Sequence, residues 1–228
     1  MKIFVAVLAI VFVSAATSAD NSANNHCYAD VENACNNGPN DTLPNCNAVY
    51  SGFPHAQLNL QEFTVMQLQS SYEYLLLSSK YNTHVKNRPG FAKKFRELSD
   101  RSWNHGMDLI KHITRRGGKM EFRSVEKPRH MFGHTLELDE LHSMALVLEN
   151  EKFLAKSAHH IHNSVSHANH PTHYDPELAH HMEENFLEDQ AETIRKFSGY
   201  ANDLKHFMKE KTQVALSIFL FDEYLQKA

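Results

Sequence analysis

The strongest constraint on this chain is the order of its helical segments. Apolar residues recur every three or four positions over about 57–86 and again over about 90–116, the spacing that lines one face of an α-helix. A Pro-Gly pair at 89–90 separates the two segments, and Gly-Gly at 117–118 is expected to end the second in a left-handed turn. The sequence thus predicts two long consecutive helices.

The next stretch is long and not helical. Residues 119–135 contain Pro128 and Gly133 and show no helical period. Fully extended at about 3.3 Å per residue, this stretch covers roughly 56 Å, whereas a helix of 28 residues is only about 42 Å long. The following helix can therefore start at the far end of the first two.

Two further long helices are predicted. The third spans about 136–165, with its apolar face carried by Leu138, Leu141, Ala145 and Leu148. Prolines punctuate the turn that follows, and a fourth helix spans about 176–206. The predicted fold is an all-α four-helix bundle with a long connection between its second and third helices.

A short fifth helix is predicted over about 210–226, and it is apolar around much of its circumference. It is shorter than the roughly 20 residues that span a bilayer. A surface this apolar is unfavourable in water, so we expect it to lie at an assembly contact.

The N-terminal residues have the pattern of a secretory signal. Lys2 precedes an unbroken apolar run over 3–13, and small residues follow as far as Ala19, where cleavage is expected; cleavage after Ala16 would also fit. A membrane anchor is the weaker alternative, because the run is about half the length needed. The predicted segments are a signal peptide (1–19), an N-terminal extension (20–55) and a helical domain (56–228).

All three cysteines, Cys27, Cys35 and Cys46, fall in the extension. They form no Cys-x-x-Cys pair, and secretion favours disulfides over a zinc site. The odd number predicts one bridge within the chain and one to a partner chain, with a free thiol as the alternative. Asn40 begins an Asn-Asp-Thr sequon and is a candidate glycosylation site.

The charge balance argues against a nucleic-acid-binding protein. The chain has 23 Lys and Arg against 27 Asp and Glu, a net charge of −4, so no large basic field is available to bind phosphates. The unusual feature is the count of 17 histidines. Imidazole ligates transition metals and titrates near neutral pH, so metal binding is a reasonable expectation.

Di-iron centres in four-helix bundles are built from glutamates and Glu-x-x-His motifs in the middle of the helices. A centre of this kind would therefore use polar residues on the predicted inner faces near mid-helix. The four helices offer one carboxylate among these positions, which are Gln67, Ser102, His105, Glu149 and Gln190.

Six stretches, in this order, carry a resemblance to a known family. They are SSYEYLLLS at 70–78, FRELSDR at 95–101, RRGGK at 115–119, ALVLENEK at 145–152, FLEDQ at 186–190 and FLFDEYL at 219–225. The chain resembles the ferritins from about residue 58 to its end. With its signal peptide, cysteine-bearing extension and sequon, it is most similar to the light-chain homologues of secreted insect ferritins.

The resemblance implies that the ferroxidase site of the heavy chains is incomplete here. The helix A glutamate falls on Gln67, and the glutamate of the helix B motif falls on Ser102. Losing two of three ligand carboxylates removes about two negative charges from a site that must hold iron(II), so we expect no catalysis. The family's other positions fall on Tyr74, His105, Glu149 and Gln190, which retain the family's residue types.

Two alternatives remain for these residues. They can hydrogen-bond to one another as a satisfied polar layer in the core, or His105, Glu149 and Asp189 can form an unconventional site with weak ferroxidase activity. An interior mineral-nucleation patch, as in some vertebrate light chains, is poorly matched, because only Glu97 and Asp100 among its positions carry a carboxylate. The positions are Lys93, Arg96, Glu97, Asp100, Arg101, Asn104 and Met107.

The resemblance also points to the three-fold pores of the ferritin shell. The family's aspartate and glutamate near the start of helix D fall on His180 and Glu183, one helical turn apart. Uptake through such a pore is expected to be weaker and more dependent on pH. The alternative is a solvated polar turn, which also applies to the surrounding histidines: His159, His160, His162, His167, His170, His173 and His181.

The function implied by the resemblance is iron storage without catalysis. Such a chain would assemble with a heavy-chain ferroxidase, and with copies of itself, into a 24-subunit shell that encloses a ferric mineral. The fifth helix would fill the four-fold contacts, and a cysteine bridge would link chains. A monomeric secreted carrier or signalling bundle is the rival from another class.

Overall fold

The computed structural model describes residues 47–122, 139–167, 170–209 and 213–228, and every regular element within these ranges is helical. The all-α prediction is confirmed. The predicted signal peptide, most of the predicted connection and the residues Cys27, Cys35, Asn40 and Cys46 lie outside the described residues.

The first two helices, α1 (Phe53–Tyr81) and α2 (Pro89–Arg115), lie within a few residues of their predicted bounds. Helix α1 begins earlier than predicted because a proline in the first turn loses no helical hydrogen bond. It ends earlier because the chain turns there, and the Arg88 amide donates to the Tyr81 carbonyl at 2.9 Å. The predicted left-handed stop after α2 is present, with φ of +80° at Gly117.

The third helix, α3 (Glu140–Ser166), starts at Asp139, whose carboxylate accepts the backbone N–H of His142 at 2.7 Å. The predicted fourth helix consists of three consecutive segments: α4 (Pro176–Met182), a π-helical segment (Glu183–Leu187) and α5 (Glu188–Phe207). The π-helical segment was not predicted. The last helix is α6 (Val214–Lys227).

Packing joins these helices into a bundle. Helix α1 packs mainly on α2 and α3 mainly on α5, while contacts between α1 and α3 join the two pairs. Helix α6 lies against the start of α2, where Asp222 Oδ1 accepts the Phe91 N–H at 3.0 Å. Gly90 allows this approach, because a Cβ there would lie 2.0 Å from the Asp222 carbonyl oxygen.

The core consists of two apolar clusters at opposite ends of the bundle. One is centred on Tyr81, Phe91 and Phe95, and the other on Phe53, Ile113 and Leu178. Between the cluster residues of each helix, α1, α2, α3 and α5 each contribute buried polar residues. We call four of these the polar layer: Gln67, Ser102, Glu151 and Gln190.

Helix α6 has one buried face and one exposed apolar face. Ile218, Phe221 and Leu225 are buried, whereas at least half of the surface of four neighbours is exposed: Leu216, Phe219, Leu220 and Tyr224. Assignment of this face to an assembly contact stays a prediction. In the described part of the chain, none of the helices combines the length and the apolar character needed to cross a membrane.

Candidate functional site

The polar layer lies where the two apolar clusters meet, and each of its residues comes from a different helix. Gln67 is on α1, Ser102 on α2, Glu151 on α3 and Gln190 on α5, and at most 1% of each residue is exposed. The helical period on each element brings these positions inward together. Three of the four residues coincide with the sequence prediction.

The exception is on α3, where the prediction that Glu149 lies in the layer is wrong. Glu149 is exposed, and Glu151 is fully buried in its place. Residues two positions apart on an α-helix point about 200° apart, so both cannot face the core. The buried face of α3 is carried by Met144, Val147, Glu151 and Leu154.

Glu151 is held by a tyrosine, which an asparagine supports in turn. The Tyr74 hydroxyl donates to Glu151 Oε1 at 2.5 Å and accepts the side-chain N–H of Asn150 at 2.9 Å. Burial and the neighbouring Glu151 carboxylate raise the pKa of Tyr74 well above its ordinary value. Tyr74 therefore stays a neutral donor to Glu151.

The second partner of Glu151 is the guanidinium of Arg101, one residue before Ser102 on α2. It donates to Glu151 Oε2, to Asp189 Oδ2 at 3.0 Å and to the Thr193 hydroxyl. Burial lowers the pKa of Arg101, but the Glu151 and Asp189 carboxylates outweigh burial and raise it overall. A permanent protein cation thus neutralises the buried carboxylate of the layer.

His105 lies one turn beyond Ser102. Its Nε2 is 3.6 Å from Asp189 Oδ2, and its ring contacts the edge of Phe186, with centroids 5.0 Å apart. Burial, and then the Arg101 guanidinium, lower the pKa of His105 to about 4. His105 is therefore neutral near pH 7.

The expected hydrogen bonds within the layer are missing. Both amide atoms of Gln67 and Gln190, the Ser102 hydroxyl and His105 Nδ1 are buried without a hydrogen-bond partner among the described residues. The alternative of a mutually bonded polar layer is therefore wrong for these side chains. Buried polar atoms of this kind are rare in folded proteins.

The donor set suits a di-iron centre poorly. The layer contributes one carboxylate, already paired with Arg101, together with two amides and a hydroxyl. Hard cations such as iron(II) require anionic oxygen ligands. Among the described residues, no three His, Cys, Asp or Glu side chains are arranged to hold a metal ion.

The predicted pore residues, His180 and Glu183, are both largely exposed and have separate partners. His180 Nε2 lies 3.4 Å from Glu184 Oε2, whereas Glu183 Oε1 lies 2.7 Å from His162 Nε2 on α3. The π-helical segment begins at Glu183, directly after the α-helical turn that carries His180.

The two carboxylates at the nucleation-patch positions have basic partners on the same helix. Glu97 lies 2.8 Å from Lys94 Nζ and 3.8 Å from Lys93 Nζ, and Asp100 lies 3.0 Å from Arg96 Nε. These ion pairs compete with a metal ion for the carboxylate oxygens.

Comparison with known proteins identifies the family. The sequence profile of the ferritin family, described as a ferritin-like domain, matches residues 57–207. The chain belongs to the ferritin family. This ferritin is 44% identical over 230 residues to the ferritin light chain of Drosophila melanogaster, with complete coverage of both chains. It is 40% identical over 209 residues to the ferritin light chain of Trichoplusia ni, covering 88% of this chain and 90% of the relative.

A solved structure supports the same conclusion. The crystal structure of Trichoplusia ni secreted ferritin superimposes on this ferritin with a TM-score of 0.75 and 40% sequence identity. The match covers 89% of this chain and 98% of that one. The predicted resemblance to the ferritins is thereby confirmed.

The sequence prediction missed Glu151 as a member of the layer and placed Arg101 elsewhere, on the nucleation patch. The signal for Glu151 was available, because Met144, Val147, Glu151 and Leu154 recur at steps of three and four. Arg101 carried no such signal: a long side chain beside a buried position can lie on the surface or reach inward.

Proposed function

We propose that this ferritin is a non-catalytic, light-chain-type subunit that stores iron as part of a secreted hetero-oligomeric shell of 24 subunits. A heavy-chain homologue supplies the ferroxidase activity, and the iron is substrate and cargo, deposited as a ferric mineral. This chain contributes wall area and assembly contacts. The light chains that it resembles in two insects and the secreted ferritin structure support this assignment.

One observation carries the proposal: the Arg101 guanidinium is bonded to Glu151 inside the polar layer. In that position a fixed positive charge repels iron(II) and occupies the oxygen that would bind it. Gln67 and Ser102 add no anionic oxygen to compensate. Binding of two ferrous ions there would require the cation to leave, and the four positive charges of the ions would meet a single carboxylate of the layer.

The alternative is a subunit with weak ferroxidase activity at His105, Glu149 and Asp189. Two observations oppose this alternative. Glu149 is exposed, and the Asp189 carboxylate already accepts a hydrogen bond from Arg101. Shells assembled from this chain alone can be loaded anaerobically with iron(II) and mixed with oxygenated buffer. We expect the rate of oxidation to equal that of a protein-free control. Rapid, stoichiometric oxidation above the control would disprove the proposal.

The N-terminal part of the proposal concerns secretion and cross-linking. We propose cleavage after Ala19, glycosylation at Asn40 and one disulfide to another chain through Cys27, Cys35 or Cys46, because the number of cysteines is odd. Electrophoresis of the native particle without reductant should then give a species larger than one chain. If single chains alone appear, the interchain bridge is excluded.

Assembly is the third part of the proposal. The exposed apolar face of α6 supports its place in the four-fold contacts, and His180 with Glu183 is proposed to line the three-fold pore. The mass of the intact particle, measured with its subunit ratio, tests the shell directly. A particle of one or two chains would favour the rival monomeric carrier instead.

A further inference from the structure

Six polar atoms in and beside the polar layer are buried without a hydrogen-bond partner among the described residues. They are Nε2 and Oε1 of Gln67, the same two atoms of Gln190, the Ser102 hydroxyl oxygen and His105 Nδ1. We call these four residues the unpaired set. A buried polar group that makes no hydrogen bond destabilises the fold, because it has given up its bonds to water. Six such atoms in one region therefore call for a binding partner.

Contacts between aromatic rings place the unpaired set at one level of the bundle. Phe186 packs against Phe63 and His105, with ring centroids 5.6 and 5.0 Å away. The other three members lie one helical turn from these rings: Gln67 after Phe63, Gln190 after Phe186, and Ser102 before His105. The two apolar clusters show that α1 and the π-helical segment with α5 run in one direction and α2 in the other. All three steps therefore lead to the same side of the rings.

The unpaired set offers hydrogen bonds but no charge. Amide and hydroxyl groups both donate and accept, and burial lowers the pKa of His105 to about 4, so its ring is neutral near pH 7. Both oxygens of the neighbouring Glu151 carboxylate already accept hydrogen bonds, from Tyr74 and Arg101. Among the described members of the layer, a cation would thus meet no free anionic oxygen, and an anion would be repelled by Glu151. The set suits a small uncharged molecule.

A cavity beside the layer provides room and a route of entry. It has a volume of about 210 Å³, and its walls include Arg101 and Asp189. These residues directly precede Ser102 and Gln190, and Asp189 Oδ2 lies 3.6 Å from His105 Nε2. Arg101 Nε is a further buried atom for which the described part of the chain supplies no partner. Since a water molecule occupies about 30 Å³, the cavity holds several.

We propose that the polar layer is a binding site for buried water, with about two water molecules bonded to Gln67, Ser102, His105 and Gln190. A buried water typically makes about three hydrogen bonds, so two satisfy the six unpaired atoms. Water both donates and accepts, which matches the mixed character of the set. It reaches the layer from the cavity at Arg101. This inference does not depend on the proposed function, because it concerns the subunit in the absence of iron.

A crystal structure of the assembled, metal-free particle at high resolution tests the site. We expect about two peaks of electron density in the layer, each about 2.5–3.2 Å from polar atoms of at least two members of the unpaired set. Gln67→Met combined with Gln190→Met removes four of the six unpaired atoms and should remove at least one peak. The matched control, Gln69→Met combined with Gln213→Met, changes two glutamines outside the layer and should retain both peaks.

Xenon gives a second measurement that needs no variant. Dry cavities bind xenon, whereas a polar site filled with water does not, so crystals of the unmodified particle under xenon pressure should show no anomalous peak in the layer. The proposal is overturned by xenon in the layer, by the absence of water peaks there, or by peaks that all persist in the double variant. Peaks within about 2.2 Å of the side-chain atoms would also overturn it, because that distance belongs to a metal ion.

Discussion

The guanidinium of Arg101 is bonded to the carboxylate of Glu151 in the interior of the four-helix bundle, where 18% of the arginine side chain and none of the glutamate side chain is exposed. The pair places a protein cation beside the carboxylate that faces the polar layer. Arg101 neutralises Glu151 without a metal ion. Removal of Arg101 would therefore leave a buried charge without its partner and destabilise the fold.

Replacing Arg101 by leucine should destabilise the subunit strongly. The substitution leaves Glu151 buried without its cation, and breaking a buried ion pair from one side typically costs about 3–5 kcal/mol. Guanidinium denaturation of the assembled particle, followed by far-ultraviolet circular dichroism, measures the change. Arg96→Ala is the control because Arg96 pairs with Asp100 on the surface, with more than half of both side chains exposed. The control should unfold at the same denaturant concentration as the unmodified chain.

Restoring the lost carboxylates should create a metal site only if the cation is also removed. We expect the triple variant Gln67→Glu, Arg101→Ala and Ser102→Glu to oxidise iron(II) at least about tenfold faster than the unmodified chain, equivalent to about 1.4 kcal/mol of barrier. The new carboxylate at position 102 would complete a Glu-x-x-His motif with His105. Stopped-flow absorbance of the ferric product measures the rate.

The informative comparison is the double variant that keeps Arg101. It carries both new glutamates but also the guanidinium, so its oxidation rate should stay close to that of the unmodified chain. Equal rates in the double and triple variants would show that Arg101 does not oppose iron binding.

The helices were predictable because each is long and strongly periodic, so small errors at the ends do not change the element. The buried face of α3 was ambiguous. The predicted stripe through Leu141, Ala145 and Leu148 competes with a second stripe through Met144, Val147 and Glu151, which the structure buries. Both have helical spacing, and the second stripe includes a glutamate, a residue type that is mostly exposed.

The interior position of Arg101 and the π-helical segment depend on contacts between helices. Arg101 turns inward because Glu151 and Asp189, distant in sequence, offer two carboxylates. Phe186, within the π-helical segment, packs against Phe63 and His105, with ring centroids 5.6 and 5.0 Å away. No periodicity on one helix encodes such partners.

The buried tyrosines should make the particle sensitive to alkaline pH. Burial, together with nearby carboxylates, raises the pKa of both Tyr74 and Tyr81 in the folded chain. A raised folded pKa contributes stability that is complete below the unfolded value of about 10 and is lost as pH rises above it. Absorbance at 295 nm should show at least two of the eight tyrosines ionising only as the chain unfolds.

The assignment of this late step can be checked by substitution. Tyr74→Phe should reduce the number of late-ionising residues by one, whereas Tyr72→Phe, which changes a ring that is 62% exposed, should leave that number unchanged. Reversible ionisation of all eight tyrosines in a single step, with helicity retained, would contradict the prediction.

Two glycine-to-alanine substitutions should change stability in opposite directions. At Gly90 the new methyl group would lie 2.0 Å from the Asp222 backbone oxygen, so α6 must move away from the start of α2. Overpacking of this kind typically costs about 1–3 kcal/mol.

At Gly199, inside α5, the nearest atom is the end of the flexible Arg195 side chain at 3.6 Å. Alanine there should stabilise the helix by about 0.8–1.0 kcal/mol. Denaturant unfolding of both variants measures the difference, and the close docking of α6 on α2 is wrong if Gly90→Ala is as stable as Gly199→Ala.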